Sequence, residues 1–479
     1  MSEGPKLIVF LVMDTARYRS FDFESDRVNP SLNSFIKEHN ALNFKRAISA
    51  APWTIPSHVS MFTGKLPSEH GCIDYGFKVG KKINFLPKLM QSSGYHTTGI
   101  TSNGLLTKSS NFNFGFNDYI CTWNLFQDIK EPYRSSNIIK KEGFLGLIKV
   151  LKYIFKNKPV KSILNLIYRN IFSVKKDSTP FTIKTTELAK SKIRECAKKD
   201  KKLFLFINYM QPHMDYNPPE PFRSKFTTKN ITLSQSPVDF YSGKYTDKDI
   251  SFFNKLYKSE ISFLDSQVGD LLSCINKEGL MDDSAIVITS DHGEHIGEHG
   301  HISHYFSVYN EAIHVPLIMK LPERNNQILA NPDLDFVSTM DLYGILCGLT
   351  MQSKRKSENN SFRKASKPLI SELYMPSEYS YFIESCKKIN PNFSKEEFTQ
   401  KGMQNQKSIF HDSKKFIIRE KGNNEVYSQD DICENFDLAS RSKKVLGPVV
   451  NQYSFTKQKG TKSSKSDKMK DRLRNLGYY

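Results

Sequence analysis

The sequence has little tryptophan and no closely spaced cysteines. Only two of its 479 residues are Trp, and its seven Cys are scattered along the chain without a Cys-x-x-Cys pair. This spacing excludes the common zinc-ribbon and dithiol redox motifs, and it offers no disulfide framework. We therefore expect reduced, mostly buried thiols, as in a cytoplasmic protein.

Long hydrophobic runs are also missing. The apolar run near the N-terminus, Leu7–Met13, has only 7 residues. This is too short to cross a bilayer, and too short for the core of a signal peptide with its cleavage site. A continuous, β-branched run is instead typical of a buried parallel strand. The sequence therefore predicts a cytoplasmic protein that is neither secreted nor integral to a membrane, although it could bind a membrane peripherally.

Acidic residues are too few to balance the basic ones. The chain has 50 Asp and Glu against 69 Lys and Arg, which gives a formal net charge of +19 at pH 7. Such an excess indicates an anionic partner, whether an anionic substrate, an acidic membrane, a polyanionic glycan or a nucleic acid. The basic stretches lack interleaved aromatic residues for stacking bases, so no specific nucleic-acid partner is expected.

Four apolar runs have the character of buried strands, and polar or charged residues follow each one directly. These runs are Leu7–Met13, Thr97–Ile100, Leu203–Met210 and Ala285–Thr289. Segments with helical periodicity lie between them, namely Ile83–Ser93, Thr182–Lys199 and Asp249–Lys277. Strands that alternate with helices predict an α/β fold with a mainly parallel sheet. Ligands of such sheets bind beyond the carboxyl ends of the strands, where Asp14, His213, Asp291 and His292 would lie.

The segment 143–176 combines eight Lys or Arg with no acidic residue, and Pro159 divides it into two stretches with apolar residues at helical spacing. Helices that are basic on one face and apolar on the other can lie on anionic membranes. In the alternative interpretation, the apolar face packs on the core and the lysines stay in solvent, which is the commoner role of an amphipathic helix. The sequence leaves both interpretations open.

Beyond residue 325 the alternation of strands and helices stops. Asp333–Thr350 is predicted to be a helix, and Ser408–Arg419 with Glu425–Tyr427 a hairpin or small sheet. We therefore predict three parts: a main domain over 5–325 that carries the insertion 143–176, a small C-terminal subdomain over 326–450, and a basic, flexible tail over 451–479.

Potential metal ligands are dense at the end of one predicted strand. Asp14 follows the first strand, and Asp291 and His292 open the stretch SDHGEHIGEHGH after another. Carboxylate oxygens and a neutral imidazole are suitable ligands for a divalent cation. The stretch and its neighbours hold further potential ligands: Glu294, His295, Glu298, His299, His301 and His304. We predict a metal site here rather than a polar loop.

A threonine stands at the start of a second motif, TIPSH, which covers residues 54–58. A helix predicted to follow would place Thr54 at a helix N-terminus, where backbone N–H groups and the helix dipole favour an anion such as phosphate or sulfate. A threonine hydroxyl is a poor nucleophile until a metal lowers its pKa. Taken alone, the motif could also be a simple helix cap.

Several of these motifs, in this order, resemble the sulfatase-type branch of the alkaline-phosphatase superfamily over about residues 5–320. They are Asp14 after its strand, TIPSHVSMFTGKLPSEHG, PHMDYNPP, and SDHGEHIGEHGH followed by VPLIM. The stretch Glu425–Ala439 resembles the closing segment of the family. The resemblance implies a three-layer α/β/α sandwich around a mainly parallel mixed sheet, with a small C-terminal α+β subdomain.

The resemblance also implies roles for individual residues. Asp14, Asp291 and His292 would bind one divalent ion (Ca, Mn, Mg or Zn), and Thr54 would be the nucleophile and a further ligand. His213 would contact the bridging or leaving-group oxygen. His304 stands where family members place a Lys or His that contacts the transferring group.

Some positions depart from the family pattern. True sulfatases have a Cys or Ser that matures to formylglycine at the position of Thr54, and an arginine at the position of His58. Thr15 stands where many have a second aspartate, and Asn103 stands near a common lysine. We take His58 as a candidate catalytic residue and Asn103 as a candidate substrate-binding residue, together with His213 and His304.

A motif in one predicted helix bears on how many metal ions the site binds. Relatives that bind two metals use Asp-x-x-x-His, whereas this chain has Asp265 with Gly269 at the equivalent position. One metal ion is therefore expected.

These residues predict a metal-dependent hydrolase of phosphate or sulfate esters. Phosphate is favoured, because threonine lacks the geminal diol through which formylglycine releases sulfate. Two alternatives stay open: a transferase that moves a phospho-group onto a glycan or lipid-linked acceptor, and a degenerate member that only binds an anion.

Overall fold

The computed structural model describes most of the chain. The described residues are 4–74, 77–80, 83–125, 127, 160–161, 163–165, 168, 178–228, 233–328, 336–350, 368–375, 380–402, 404–411, 414–421, 424–428, 453 and 455. Most of the predicted insertion 143–176, residues 429–439 of the predicted closing segment, and nearly all of the predicted flexible tail lie outside them. Within the described residues, no helix combines the length and apolar character needed to cross a bilayer.

The strands form one large sheet and three small ones. In chain order they are β1 Leu7–Met13, β2 Leu42–Asn43, β3 Ala47–Ile48, β4 His96–Thr101, β5 Asp118–Cys121, β6 Leu203–Tyr209, β7 Ser284–Ser290, β8 His295–Ile296, β9 Ile302–Ser303, β10 His314–Val315, β11 Leu317–Lys320, β12 Val337–Ser338, β13 Leu369–Leu373, β14 Gln406–His411, β15 Lys414–Arg419 and β16 Glu425–Ser428.

The large sheet is mixed but mainly parallel. Its strand order is β2-β11-β7-β1-β6-β4-β5. The five strands from β7 to β5 are parallel to one another, whereas β11 pairs antiparallel with β7 at one edge and β2 pairs antiparallel with β11. All four predicted strands are present, and each differs from its predicted bounds by at most one residue at either end.

The helices cover both faces of this sheet. They are α1 Pro30–Glu38, α2 Thr54–Thr63, α3 Pro67–His70, α4 Leu86–Ser92, α5 Thr179–Lys199, α6 Phe222–Phe226, α7 Pro237–Tyr241, α8 Asp247–Lys277, α9 Asn310–Ile313, α10 Leu342–Gly348, α11 Ser380–Ile389 and α12 Lys395–Lys401. The predicted helices correspond to α4, α5 and α8. The prediction of one helix over Asp333–Thr350 is wrong for its described part, because β12 and a 3₁₀ turn, Thr339–Asp341, precede α10.

Two hydrophobic cores lie on opposite faces of the large sheet. Successive residues of β1 point to alternate faces, as the pleat of a strand requires. One core contains Ile8, Phe10 and Val12 with apolar residues of α2, α4 and α10, and the other contains Leu7, Val9, Leu11 and Met13 with those of α1, α5 and α8. The predicted three-layer α/β/α sandwich is confirmed.

The C-terminal region adds a small antiparallel sheet of β13, β14, β15 and β16. The predicted hairpin over Ser408–Arg419 is present as β14 and β15, and β16 extends it. This sheet is joined to the main sandwich at its first strand, where the Glu372 N–H donates to the Ala50 carbonyl over 2.9 Å. The six described cysteines are free and buried, as expected.

Candidate functional site

Asp14, Asp291 and His292 converge at the carboxyl edge of the large sheet. Because β1 and β7 are neighbouring parallel strands, the residues that follow them emerge side by side. Each of the three offers one ligand atom within 4.8 Å of the others, and no other group of three or more His, Cys, Asp or Glu among the described residues does so. All three side chains are fully buried. The predicted ligand set is thus one cluster.

This cluster fits a divalent cation. Asp14 Oδ1 and Asp291 Oδ2 are buried oxygens with no hydrogen-bond partner among the described residues. Burial without a nearby cation raises the pKa of Asp14 to about 8, and it raises the pKa of Asp291 well above its ordinary value. Two desolvated carboxylates and one imidazole nitrogen are a donor set that a bound M²⁺ would neutralise.

The imidazole of His292 is oriented as a metal ligand should be. Its Nδ1 is 3.0 Å from the Gly293 carbonyl, and because a carbonyl only accepts, Nδ1 carries the proton. Nε2 therefore keeps its lone pair, and it lies 3.3 Å from Asp291 Oδ2 and 3.9 Å from Asp14 Oδ1. A backbone carbonyl behind the distal nitrogen is the usual way in which proteins fix a metal-binding histidine.

Serine side chains hold the backbone that carries these ligands. Ser49 and Ser57 both donate to the carbonyl of Asp291. The Ser290 hydroxyl lies within hydrogen-bond distance of the carbonyl oxygens of both Met13 and His292, so it links the ends of the two ligand-bearing strands. The spacing of the cluster is thereby set before any ligand binds.

Thr54 lies against the cluster, at the first position of α2. Its Oγ1 is 3.4 Å from His292 Nε2, and its side chain is 1% exposed. Asn103, which follows β4, donates from Nδ2 to Asp14 Oδ2 and lies 3.5 Å from Thr54 Oγ1. The predicted helix N-terminus is confirmed, and Asn103 bridges the candidate nucleophile and a candidate metal ligand.

His58 lies one turn behind Thr54 and supports it. Its Nδ1 donates to the Thr54 carbonyl over 2.9 Å, and the same atom is 3.4 Å from Asp291 Oδ2. The ring packs edge-on against Phe112 and Phe206. Burial lowers the pKa of His58 to about 3, so this ring is neutral at pH 7 and does not supply the positive charge of the family's arginine.

His213 and His304 form the other part of the site, together with Glu294. The ring centroid of His304 is 4.3 Å from that of His292 and 5.4 Å from that of His213. His304 Nδ1 donates to Glu294 Oε1 over 2.9 Å, so a contact from this ring to a substrate would come from Nε2. His213 Nδ1 donates to the Met214 carbonyl. Burial lowers the pKa values of both rings.

Glu294 was given no role from the sequence, where it was one of many potential ligands in a His- and Glu-rich stretch. It is fully buried, and burial raises its pKa to about 7. Its Oε1 is the acceptor for the ring of His304, so it helps to orient that ring. The only feature of the sequence that points to Glu294 is its position two residues after His292, in the segment that follows a buried strand.

The helix that could have carried a second metal is used for packing. Asp265 accepts hydrogen bonds from the N–H groups of Ser31 and Leu32, each over 2.9 Å, and so caps the N-terminus of α1. A Cβ on Gly269 would lie 2.6 Å from Ser31 Oγ, so an imidazole does not fit there. The number of metal ions stays a prediction.

The C-terminal sheet holds the loop that carries His304. Gln406 Nε2 donates to the Phe306 carbonyl over 2.7 Å, and Lys415 Nζ donates to the Val308 carbonyl over 3.0 Å. Gln406 and Lys415 are both buried. The small sheet therefore contributes to the geometry of the site although none of its residues belongs to the cluster.

The structure brings together the residues to which the resemblance gave roles, whereas the further potential ligands His295, Glu298, His299 and His301 do not belong to the metal-ligand cluster. Asp14, Asp291, His292, Thr54 and Asn103 are joined by contacts of 3.9 Å or less. His58 contacts Thr54 and Asp291, and His304 with His213 stands beside His292. Their catalytic roles remain predictions.

Comparison with known proteins agrees with this geometry. The family model described as Sulfatase matches residues 6–352. Iduronate 2-sulfatase from Homo sapiens is 25% identical over 355 residues, which cover 66% of this chain and 60% of that protein. Arylsulfatase K from Mus musculus is 33% identical over 162 residues, which cover 30% of this chain and 29% of that protein. The chain thus spans about three fifths of the length of the human relative.

The fold is also that of a solved hydrolase. The phosphonate monoester hydrolase of Agrobacterium radiobacter superposes with a TM-score of 0.62 at 15% sequence identity, over 98% of this chain and 96% of that one. At this level of identity the similarity shows the fold alone.

Proposed function

Because this chain belongs to the sulfatase family, we propose that it is a metal-dependent hydrolase of anionic esters with Thr54 as its nucleophile. One observation carries the proposal. Thr54 Oγ1 lies 3.4 Å from His292 Nε2, in a buried cluster with two carboxylate oxygens that lack a hydrogen-bond partner among the described residues. A hydroxyl in that position borders the place where a cation would bind.

The residues around Thr54 have different roles in the proposed in-line transfer. A divalent ion held by Asp14, Asp291 and His292 would lower the pKa of a neighbouring hydroxyl and offset the charge of the ester oxygens. Asn103 fixes the distance between Asp14 and Thr54 Oγ1.

In the proposed reaction, Thr54 Oγ1 gives up its proton to solvent and bonds to phosphorus as the bond from phosphorus to the leaving oxygen breaks. Water then cleaves the phosphothreonine, and inorganic phosphate is released.

In this proposal, His213 and His304 contact the oxygens of the substrate. The Nδ1 atom of each ring is engaged with a protein oxygen, and we assign the contact with a substrate to the Nε2 atoms. Burial keeps His213 neutral in the free protein, because it lowers the pKa of the ring. A bound ester with two negative charges would raise that pKa again and allow His213 to protonate the leaving oxygen, a step worth about 10²- to 10⁴-fold in rate.

Phosphate and phosphonate esters are the favoured substrates. A sulfated threonine lacks the second hydroxyl through which formylglycine expels sulfate, whereas water can attack phosphorus in a phosphothreonine. The neutral His58 at the arginine position also distinguishes this chain from relatives that mature their nucleophile. The net charge of +19 agrees with an anionic substrate of either kind.

The test is turnover of aryl phosphate, phosphonate and sulfate esters by the purified chain with Mn²⁺, Zn²⁺, Ca²⁺ or Mg²⁺. Thr54→Ala should lower kcat/KM by about 10³-fold or more, whereas Thr54→Ser, which keeps the hydroxyl, should retain most of it. Mass spectrometry of acid-quenched protein should find a phosphoryl group on Thr54. Full turnover by Thr54→Ala would refute the nucleophile, and faster turnover of sulfate than of phosphate would refute the preference.

Metal content separates the hydrolase from an anion-binding protein without catalysis. Wild-type protein should carry about one divalent ion per chain after mild purification, and Asp14→Asn should carry much less. Equal and negligible metal in both preparations, together with no turnover of any ester, would leave anion binding as the better interpretation.

A further inference from the structure

Arg17 is a buried arginine next to the candidate site, and neither the sequence nor the metal cluster gave it a role. It follows Asp14 by three residues, and it is 4% exposed. Its guanidinium lies against the loop that runs from Glu294 to Glu298. A buried charge is unfavourable unless an ion pair and hydrogen bonds satisfy it. The partners of this guanidinium therefore indicate which parts of the protein it holds together.

The guanidinium of Arg17 fixes the backbone of this loop at two residues. Its Nη1 donates to the Glu294 carbonyl over 3.2 Å and to Glu298 Oε1 over 2.8 Å. Glu298 Oε2 in turn accepts the Ile296 N–H over 2.7 Å. Nη2 donates over 2.7 Å to Asn254 Oδ1 on α8, and Asn254 Nδ2 donates to the Ile296 carbonyl over 3.3 Å. The loop is thus held directly at residue 294, and at residue 296 through two partners of the guanidinium.

The backbone of Arg17 is fixed separately, against α8 and the end of β7. Its N–H donates to the Tyr257 hydroxyl over 3.0 Å, and that hydroxyl donates to the Thr15 carbonyl over 2.7 Å. The Ala16 N–H donates to Ser290 Oγ over 2.9 Å. Thr15 has a φ of +61°, which is rare for a β-branched residue, so these contacts maintain a turn that the side chain disfavours. The guanidinium is therefore held by the strand end that also supplies the first candidate metal ligand.

The loop that Arg17 holds also carries the hydrogen-bond acceptor of a candidate substrate-binding ring. Glu294 Oε1 accepts the Nδ1 proton of His304 over 2.9 Å, and Glu294 is fully buried. A shift of the Glu294 backbone would displace this acceptor, and the ring of His304 would lose its orientation. Such displacements matter in catalysis, because a misplacement of about 1 Å can lower a rate by about 10²-fold.

We propose that Arg17 is a positioning residue, which fixes the backbone of Glu294 relative to the end of β1 and thereby sets the position of His304. It acts through Glu294 and not on the substrate itself. The expected effect on turnover rests on the proposed hydrolase function. The expected effect on the ring of His304 does not, so the two can be tested separately.

Arg17→Lys tests the positioning, because lysine keeps the positive charge but lacks the planar fork that reaches several acceptors at once. Its ammonium can pair with Glu298 but cannot also hold the Glu294 carbonyl. We expect kcat to fall by about 10- to 100-fold, while the affinity for Zn²⁺, measured by competition with a chelating dye, changes by less than about threefold.

Arg19→Lys is the matched control. Arg19 lies two residues further along the same segment, and its Nη1 also pairs with a buried carboxylate, Glu311 Oε1, over 2.7 Å. Its side chain is 42% exposed, and an ion pair that is open to solvent contributes little. The control should therefore lower kcat by less than about twofold.

A double variant tests the route through Glu294. Arg17→Lys combined with Glu294→Leu should lower kcat no further than Glu294→Leu alone, because the support of His304 is already lost. Losses that multiply would overturn this route. If circular dichroism shows that Arg17→Lys is unfolded, Arg17→Gln combined with Glu298→Gln takes its place with the same expected results, because that pair leaves no unpaired buried charge.

Proton NMR tests the positioning without turnover. The Nδ1 proton of His304, bonded to a carboxylate, should give a downfield resonance that is absent from His304→Gln. This resonance should shift or disappear in Arg17→Lys and persist in Arg19→Lys. If it does so while wild type turns over no ester, the positioning stands and the hydrolase proposal fails.

Three results would overturn the positioning. The first is an unchanged His304 resonance in Arg17→Lys. The second is a kcat of Arg17→Lys within about twofold of the wild-type value. The third is a loss of metal affinity as large as the loss of kcat, which would assign Arg17 to the metal cluster instead of the loop.

Discussion

The most specific prediction concerns Asp14, because ionising its buried carboxyl is unfavourable in the metal-free protein. Its side chain is 0% exposed, and burial raises its pKa to about 8 from an ordinary value of 3.8. For a carboxyl whose folded pKa is raised, the folded state loses stability as the pH climbs above the ordinary pKa. About three pH units separate the ordinary pKa of Asp14 from pH 7. At 1.36 kcal/mol per unit, the folded state has lost about 4 kcal/mol of stability at pH 7. Asp291 acts in the same direction.

We therefore predict that the metal-free protein gains stability when Asp14 is replaced by asparagine. The asparagine side chain cannot ionise, and its amide oxygen can still accept the hydrogen bond from Asn103. In excess EDTA, the free energy of unfolding of wild type should fall as the pH rises from about 4 to about 8, and the fall should be much smaller for Asp14→Asn. With metal added, wild type should gain stability most strongly at the alkaline end, because the ligands must be deprotonated, and Asp14→Asn should gain little.

The assay is the thermal and urea midpoint of each protein at several pH values, with EDTA or with excess Mn²⁺ or Zn²⁺. Asp270→Asn is the control, because Asp270 is exposed on α8 and distant in sequence from the cluster. The reasoning is wrong if metal-free Asp14→Asn is no more stable than metal-free wild type at pH 8. It is also wrong if added metal stabilises the two proteins equally.

Two further changes test the surroundings of the site. Glu294→Leu should lower kcat by about 10- to 100-fold, because His304 loses the acceptor of its Nδ1 proton. Glu294→Gln keeps an acceptor and should lower kcat less. Equal losses of kcat in the two variants would show that the orientation of His304 is not the cause. Gly269→Ala should lower the free energy of unfolding by about 1–3 kcal/mol, because its Cβ would lie 2.6 Å from Ser31 Oγ. Adding Ser31→Ala should restore part of that loss in a urea melt, and no restoration would contradict the proposed clash.

The positions of the ligands could be predicted from the sequence because of how parallel sheets are built. A buried parallel strand is continuously apolar, so the first polar residue after it marks the carboxyl edge. Asp14 and Asp291 are such residues, and the pairing of β1 with β7 makes them neighbours. Neither residue alone identifies a site, but two strand ends that meet at one edge do.

The supporting contacts could not be predicted in this way, because they join residues far apart in the chain with no local pattern. Lys415 reaches the Val308 carbonyl from a strand of the C-terminal sheet, and nothing in its own sequence distinguishes it from the other lysines. Glu294 was one of several acidic residues in a stretch rich in potential ligands. Its pairing with His304 depends on a loop whose shape is set by contacts with that sheet.

The direction of an amphipathic helix is the most instructive case. Hydrophobic periodicity predicts a helix with one apolar face, but the period is the same whether that face points to the core or to solvent. In most proteins the apolar face points to the core. Here Asn165 is buried and accepts a hydrogen bond from the Leu125 N–H, whereas the described apolar residues Val160, Ile163 and Leu164 are exposed. A buried asparagine with a specific partner is therefore a stronger guide to helix orientation than the apolar residues themselves, because an unpaired amide inside a protein costs about 1–3 kcal/mol.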